Sequence, residues 1–475
     1  MKCPHCGGNN PIHQTYCSSC GKKIEVSFDA IAESVEADTV VDRSGALARA
    51  LFAATVLTVL AGSGAWLATT FLEGAAIRVD GALVPGAPPP PIPVAAAEAP
   101  ALTPVPASPE DLLLALPQAS DLSAKRLGHR RDPVRKALHA AWGGSPEALK
   151  SVRRGLLALV SHQDRASGAW HVSGGWEKGR LKWGDTGVTA LAVLALLGDG
   201  HVWTDPKDSL GQAAGRGVRF LVASQDKSGR IGPAEGNYMY NHGMATAALA
   251  EAYAMSGLGP LRGPVERAID FLASAQRPSG GWDYKKAKGV RADVSVSAWQ
   301  IAAIRSAELA GIAAPDKTRA NAAGFLDALT SKATAETGYE KRPVRGESIP
   351  HPTLGPTAIS LASRVALGDT TSSTIVRRQA AILMKNLPEW KTGWRSQPPR
   401  NAIHLYYCWY HGTVGMRGVG GKQWKTWCEA ATTALITGQE KDGAWPPIGR
   451  WAADGGRVFT TTMAILTLES TYRYP

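Results

Sequence analysis

One carboxylate stands at the front of an otherwise small and apolar stretch of the chain. Residues 292–311 read ADVSVSAWQIAAIRSAELAG, in which Asp293 comes near the start and Arg305 and Glu308 follow only later. At the start of a helix an aspartate accepts hydrogen bonds from free backbone N–H groups, so its simplest role is that of an N-cap. The alternatives are a catalytic acid and a metal ligand, and the rest of the sequence must decide among the three.

Other polar side chains occupy similar positions, at the starts of stretches that are predicted to be helices. Asp185 begins DTGVTALAVLALLG, His242 lies in YNHGMATAALAEAYAMSG, His351 begins HPTLGPTAISLASRVALG and Tyr407 lies in IHLYYCWYHGTVGMRG. Helix N-termini gathered at one end would favour an anionic or carbonyl-bearing group there, with an apolar tail below it. The candidate catalytic residue is Asp293, and the candidate cavity residues are Asp185, His242, Asp293, Tyr407 and His411.

Four of the six cysteines lie within the first twenty residues as two C-x-x-C pairs: Cys3, Cys6, Cys17 and Cys20. Two such pairs can place four thiolates tetrahedrally around Zn²⁺. A glycine follows each second cysteine, which lets the chain turn so that N–H groups face the sulfurs. Residues 1–24 are therefore predicted to form a small zinc ribbon holding one structural Zn²⁺, with two disulfides as the alternative.

An uncharged run of 23 residues, 50–72, is long enough to span a membrane, since about 20 apolar residues suffice. Lys and Arg are more frequent before this run than after it, so the positive-inside rule places the N-terminus in the cytosol. The prediction is a single-pass protein of the inner (cytoplasmic) membrane, with residues 25–49 as a juxtamembrane linker and the large domain outside the cytosol. A packed core helix is the alternative for the same residues.

Residues 73–124 are predicted to form a stalk, because ten prolines lie between positions 85 and 109 and such a run is extended and semi-rigid. The net charge of +12 is uneven: residues 1–124 carry six Lys and Arg against twelve Asp and Glu, which leaves +18 on residues 125–475. A basic domain favours lipid headgroups or an anionic envelope polymer as neighbours, although solubility alone is another explanation. No specific nucleic-acid partner is expected.

Residues 125–475 repeat one turn, in which Gln follows an amphipathic helix and Gly and usually Trp come after it. Four copies contain QDRASGAW, QDKSGRIG, QRPSGGW and QEKDGAW, two degenerate copies fill the gaps, and the turns recur roughly every 51–62 residues, which suits two helices per unit. The helices after the turns are apolar on nearly all faces and those before them on one. We expect an all-α fold, an α/α toroid of six helical hairpins, in preference to an open solenoid.

The Gln-x-x-x-Gly-x-Trp turns resemble the QW repeats of squalene–hopene cyclases and other terpenoid cyclases, whose α/α toroid is shared by the β subunits of protein prenyltransferases. The resemblance covers about residues 140–475 and extends to YNHGMATAALAEAYAMSG and DVSVSAWQIAAIRSA, which look like bacterial squalene-cyclase-repeat proteins of mostly unassigned chemistry. It implies the fold more specifically than the reaction.

The catalytic residues of these families are only partly present. The cyclases protonate an alkene with an Asp-x-Asp-Asp motif, whereas ADVSV offers Asp293 without an acidic neighbour, and a helix N-terminus favours its charged form. The prenyltransferases bind Zn²⁺ through Asp, Cys and His, where the resemblance places Asp293, Ser295 and Tyr407. Cys408 and His411 could complete a rearranged site, or they are a buried thiol and a core imidazole. Whether the chain is an enzyme is left open.

Two functions follow from these observations. The first is a membrane-anchored ligand-binding or scaffold module that holds a lipid, a peptide or an anionic envelope polymer, without cyclase or zinc-prenyltransferase chemistry. The second is a terpenoid cyclase or a prenyl or lipid transferase that uses Asp293 and cavity aromatics. A deep apolar cavity on which Asp293, His242 and Tyr407 converge would favour the second, and a ring filled with side chains would favour the first.

Overall fold

The computed structural model describes residues 127–174, 176, 179–341, 353–391, 393–394 and 405–474. The described residues are almost entirely helical. Their helices are α1 (Val134–Ala141), α2 (Pro146–Ser161), α3 (Asp185–Gly198), α4 (Ser209–Ala223), α5 (Tyr238–Ser256), α6 (Arg262–Ser274), α7 (Val294–Leu309), α8 (Asp316–Leu329), α9 (Leu354–Ala366), α10 (Thr374–Met384), α11 (Leu405–Val419), α12 (Gly421–Gly438) and α13 (Arg450–Leu468).

Buried and half-exposed helices alternate along the chain, as the apolar patterns predict. In α5 every residue from Tyr238 to Met255 is buried. In α2, by contrast, burial follows one stripe that includes Val152, Leu156 and Leu159. A stripe at this spacing lies on one face of a helix, whereas burial on all faces requires neighbours on all sides. The odd-numbered helices from α3 to α13 are therefore the inner ones, and the even-numbered helices from α2 to α12 lie outside them.

The inner helices close into a ring within the part of the chain that the structure describes. Each packs against the next in the order α3, α5, α7, α9, α11, α13, and α13 packs in turn against α3. Every inner helix follows an outer helix in the same order, so the N-termini of the inner helices all lie at one end. The predicted α/α toroid is confirmed over these residues, and the open solenoid is wrong.

In the four units that contain it, the repeated Gln joins the hairpin to the outer helix of the next. After α2, the side-chain amide of Gln163 donates to the carbonyl oxygens of Gly168 at 2.8 Å and Ala213, in α4, at 2.9 Å. Its Oε1 accepts from Arg216, also in α4, and the indole N–H of Trp170 donates to a carbonyl of α2 at 2.7 Å. One buried amide thus satisfies polar groups of two hairpins, which is the structural role expected of the motif.

The same contact closes the ring between the last hairpin and the first. Gln439 follows α12, and its amide donates to Gly443 at 2.7 Å and to Ser151 of α2 at 2.8 Å. Gly443 has a φ of +90°, and a Cβ atom there would lie 2.6 Å from the carbonyl oxygen of Arg154. Glycine is required at this position because both the backbone conformation and the close approach of α2 exclude a side chain.

The fourth unit keeps the joint although it lacks both the Gln and the Gly. Ala335 takes the positive φ, 65°, that glycine adopts in the other turns. Gln379 of α10 supplies the amide from the opposite side, donating to Ala335 O at 3.2 Å and to Thr337 Oγ1 at 3.0 Å. In this unit the outer helix of the next hairpin supplies the amide, so the turn itself does not need a Gln.

A buried ionic network lies at the other end of the ring, among the C-terminal ends of the inner helices. Arg130 and Arg473 both contact Oε2 of Glu251, at 2.6 and 2.7 Å, and Arg473 also contacts Glu469 at 2.9 Å. All four side chains are almost fully buried. Burial raises the pKa of Glu469 to about 8, because Arg473 offsets only part of the cost of charging it.

Several predicted segments lie outside the described residues: the zinc ribbon (1–24), the linker (25–49), the membrane span (50–72), the stalk (73–124) and His351. Among the helices that are described, none has the length and hydropathy needed to cross a bilayer.

Replacing Gln439 with Ala tests the closure of the ring. We expect Gln439→Ala to lower the free energy of urea unfolding by about 1–3 kcal/mol, since it leaves backbone carbonyl groups of two hairpins without a donor. The matched control is Gln276→Ala, because Gln276 donates at 2.8 Å to both Gly280 and Thr318 within the ring. A loss of stability in Gln276→Ala alone would show that the first and last hairpins are not joined.

Candidate ligand cavity at the N-terminal ends of the inner helices

An apolar cavity of about 250 Å³ opens where the N-terminal ends of α3, α5, α11 and α13 meet. Aromatic rings form much of its wall: Trp183, Tyr240, Tyr284, Tyr407, Trp451 and Phe459. The aliphatic side chains of Leu181, Val188, Leu191 and Met244 fill the spaces between them. The polar side chains in the wall are those of Asn237, Asn241 and Asp454. Such a surface suits a mainly apolar ligand that carries few polar groups.

A glycine at the start of α3 allows α3 and α5 to approach closely beside the cavity. Gly187 lies in its wall, and a Cβ atom at this position would lie 2.6 Å from Oδ1 of Asn241 and 3.4 Å from the sulfur of Met244. The amide of Asn241 donates to the carbonyl oxygen of Trp183 at 2.7 Å. The close approach of α3 and α5 thereby fixes the loop that carries Trp183 at the edge of the cavity.

Asp293 has the geometry of an N-cap. It immediately precedes α7, and its Oδ1 accepts from the backbone N–H of Ser295 at 2.8 Å and of Val296 at 3.1 Å. The hydroxyl of Ser295 donates to the same oxygen at 2.6 Å. The capping role that the sequence suggests is thus present, and the side chain is fully buried.

The other oxygen of Asp293 gives the residue a second property. Oδ2 is buried without a hydrogen bond of ordinary geometry. Burial raises the pKa of Asp293, although hydrogen bonds from Ser295 and Val296 and the nearby hydroxyls of Tyr339 and Tyr284 act in the opposite direction. The sequence argument considered only the helix N-terminus, which favours the charged form. Removal from water outweighs that effect here.

Two tyrosines connect Asp293 to the cavity. The hydroxyl of Tyr240 lies 2.5 Å from Oγ of Ser295, which in turn donates to Asp293. The hydroxyl of Tyr407 donates to the carbonyl oxygen of Ser295 at 2.9 Å. Burial raises the pKa of both tyrosines, so both remain protonated. Asp293 therefore reaches the cavity through Ser295 and Tyr240 and through the nearby hydroxyl of Tyr284, and its own side chain is not part of the wall.

His242 does not reach the cavity. Its Nδ1 accepts from the backbone N–H of Ile231 at 3.2 Å, and its Nε2 donates to the carbonyl oxygen of Ala268, in α6, at 3.1 Å. Burial lowers the pKa of His242 to about 4. The sequence placed it at the mouth because it lies in the first turns of α5, but the helix turns its side chain outward, where it joins α5 to α6.

Asp185 and His411 also lie away from the cavity. Oδ1 of Asp185 accepts from the backbone N–H of Val172 at 2.9 Å, and His171 lies 2.7 Å from its Oδ2. His411 packs its ring against Tyr407 with centroids 4.5 Å apart, and it borders a separate cavity of about 50 Å³ towards the ionic network. Burial lowers the pKa of His411 to about 3.

The described residues contain no group of three His, Cys, Asp or Glu placed to hold a metal ion. Cys408, which could have completed a rearranged site with Asp293 and His411, is a free thiol. Burial raises its pKa to about 12.

Most of the aromatic wall was missed by reasoning from sequence. Trp183 and Tyr240 stand two residues before the polar residues that attracted attention, Asp185 and His242. The signal was available, since an aromatic residue at or just before the start of an inner helix recurs in several units. On a helix, a shift of two residues turns a side chain by about 200°, so Tyr240 of α5 faces the cavity and His242 does not.

The chain was compared with known proteins. No protein-family description and no curated protein matches it. Among solved structures it is similar to an α-1,6-mannanase of Salegentibacter sp. HEL1_6 in complex with α-1,6-mannotriose, with a TM-score of 0.51 and 10% identity over 70% of this chain and 99% of the other. A mannotetrose complex of the same enzyme gives a TM-score of 0.52 at 10% identity, over 70% and 98%.

A type II terpene cyclase of Scytonema, MstE, is also found, with a TM-score of 0.46 and 15% identity over 68% of this chain and 98% of the other. At these identities the likeness to the mannanase supports an α/α toroid and nothing about the reaction.

Substitutions at Asp293 separate its capping role from its buried charge. We expect Asp293→Ala to lower the free energy of unfolding by about 0.5–2 kcal/mol through loss of the cap. Asp293→Asn keeps the cap acceptor and removes the charge. Because the pKa of Asp293 is raised in the folded state, wild-type stability falls as the pH rises above the unfolded value of about 3.8.

Asp293→Asn should therefore gain stability relative to wild type as the pH rises from 4 to 7, measured by urea unfolding at each pH. A stability difference between the two proteins that stays constant over this pH range would contradict the raised pKa.

Proposed function

We propose that the toroid is a ligand-binding module that holds an apolar, chain-like molecule, such as an isoprenoid or another lipid, in the aromatic cavity. The cavity of about 250 Å³ is the observation that carries this proposal, because its wall combines six aromatic rings with few polar groups. The N-termini of the inner helices would favour a carbonyl or anionic group of the ligand at the mouth.

Binding is preferred to catalysis because the cavity wall lacks a group placed to transfer a proton directly. Asp293 is separated from the cavity by Ser295 and Tyr240. Asp454, which does line the wall, is paired with Arg180 at 3.8 Å. The zinc set of the prenyltransferases is incomplete as well, since Tyr407 stands where the resemblance would place His.

Acid-catalysed chemistry on an isoprenoid is the second candidate, and the raised pKa of Asp293 favours it. A protonated carboxyl group could pass a proton through Ser295 and Tyr240, whose oxygens are 2.5 Å apart. Aromatic rings around a cavity also stabilise positive charge that develops on a substrate.

Hydrolysis of a glycoside is not proposed. The similar mannanase has a variant described as inactive, in which two adjacent aspartates are replaced. Residues 125–475 of this chain contain no two adjacent acidic residues. Glycoside hydrolysis ordinarily uses a pair of carboxylates across the scissile bond, and Asp454 is the single carboxylate in the described wall of the cavity.

Photolabelling with a diazirine analogue of farnesol tests the proposed cavity. The full-length protein, in lipid nanodiscs, should be labelled on peptides that line the cavity. Trp451→Ala should raise the half-saturating concentration about three- to tenfold, because one aromatic contact contributes roughly 0.5–1.5 kcal/mol.

Trp390→Ala is the matched control, since Trp390 is also half-buried but packs with Trp394 and Trp409 away from the cavity. Equal weakening by both substitutions, or labelling only outside the cavity, would contradict the binding proposal. Conversion of farnesol to a new product, lost in Asp293→Asn, would favour the second candidate.

The remaining parts of the proposal concern residues 1–124. We propose that Cys3, Cys6, Cys17 and Cys20 bind one Zn²⁺ on the cytosolic side and that residues 50–72 anchor the protein in the inner membrane. The support is the paired C-x-x-C pattern and the uncharged 23-residue run. The toroid would then lie outside the cytosol and bind a lipid, a peptide or an anionic envelope polymer there.

Metal analysis of the purified full-length protein should find one zinc per chain. Replacing Cys3 and Cys6 together with Ser should abolish zinc binding, because two thiolates are too few for a closed tetrahedral site. Cys428→Ser is the control, since this buried thiol lies in the toroid core, and it should keep its zinc. Zinc-free wild-type protein with two disulfides would contradict the prediction.

A further inference from the structure

Trp183 lies between two cavities. On one side it borders the aromatic cavity of about 250 Å³. On the other it borders a cleft of about 370 Å³, which lies between the start of α3 and the end of α4. The cleft is lined by Lys182, Trp183, Asp185, Thr186, Phe220, Ser224, Gly232 and Pro233.

The position of the Trp183 ring is set by its neighbours. The carbonyl oxygen of Trp183 accepts from the amide of Asn241 at 2.7 Å, which holds the backbone against α5. The indole ring lies against Gly236, where a Cβ atom would overlap it, and Gly236 has a φ of +56°. Asn241 of α5 therefore holds the backbone of Trp183. The indole ring occupies the space that a side chain at position 236 would need.

We propose that the Trp183 side chain is a partition that limits the length of the apolar chain bound in the aromatic cavity. This inference rests on the proposed binding function and names the residue that determines its size selectivity. The aromatic cavity alone falls just below the roughly 300–1,000 Å³ of ordinary ligand sites, so with the partition in place it holds a short chain.

The cleft can receive the end of a longer chain once the indole ring is removed. Phe220 and Pro233 give it apolar surface, while Lys182, Asp185, Thr186 and Ser224 give it polar groups for a terminal hydroxyl. A longer isoprenoid could then lie with its middle at position 183 and bury further apolar surface on Phe220. Each buried CH₂ group contributes about 0.8 kcal/mol, so a few of them are enough to reverse a preference for short chains.

Competition between prenols of increasing length tests the partition. Geraniol, farnesol and geranylgeraniol each compete with the diazirine farnesol analogue for labelling of the full-length protein in nanodiscs. For each prenol, the half-inhibitory concentration in the variant is divided by that in wild type. Partitioning of the prenol into the lipid is the same for both proteins and cancels in this ratio.

Relative to wild type, Trp183→Ala should lower the half-inhibitory concentration of geranylgeraniol at least tenfold more than that of geraniol. Trp183→Phe should give a smaller shift in the same direction, and it keeps the proposal testable if the alanine variant does not fold. Lys182→Ala is the control: Lys182 lines the cleft but not the aromatic cavity, so its substitution should leave the order of the three prenols unchanged.

An unchanged order in folded Trp183→Ala and Trp183→Phe would overturn the partition while leaving the binding function intact. Equal shifts in Lys182→Ala and Trp183→Ala would also overturn it, because the effect would then belong to the cleft alone. Failure of the proposed function itself would look different: none of the prenols would displace the label from wild-type protein.

Discussion

In four of the six units, one glutamine amide after the outer helix satisfies polar groups of two hairpins at once. Gln163 bonds its own turn and the first helix of the next unit, and Gln439 makes the equivalent contacts with α2. Because Gln439 of the last hairpin bonds to α2 of the first, the hairpins close on themselves. Closure places all the inner-helix N-termini around one centre, where the aromatic cavity forms.

The two ends of the ring differ in chemistry because the inner helices all run in the same direction. Their C-terminal ends surround the carboxyl groups of Glu251 and Glu469, which contact Arg130 and Arg473. Burial alone would raise the pKa of Glu251, but the two arginines hold it below its usual value. This end is filled by charged groups, and the ligand cavity is therefore confined to the N-terminal end. Arg130 precedes α1, so the segment that leads into the toroid takes part in filling it.

Asp293 illustrates how one residue can combine two roles that appeared to be alternatives. As a cap, it satisfies the N–H groups of Ser295 and Val296 through one oxygen. As a buried acid, it has a raised pKa and a second oxygen that accepts no hydrogen bond of ordinary geometry. The cap fixes the position of Ser295, and the hydroxyl of Ser295 links Asp293 to Tyr240 in the cavity wall. The structural role thus positions the group on which the second candidate function depends.

The sequence by itself determined the repeat, the alternation of inner and outer helices and the capping role of Asp293. These features depend on local periodicity and on hydrogen bonds between residues close in the chain. The sequence did not determine which polar residues face the cavity. His242 and Asp185 stand at inner-helix starts as predicted, yet their side chains bond α6 and the loop before α3. The direction in which a helical side chain points depends on which helices pack around it. The same packing buries Asp293 and raises its pKa, where the helix N-terminus alone would lower it. Only the closed ring decides this packing.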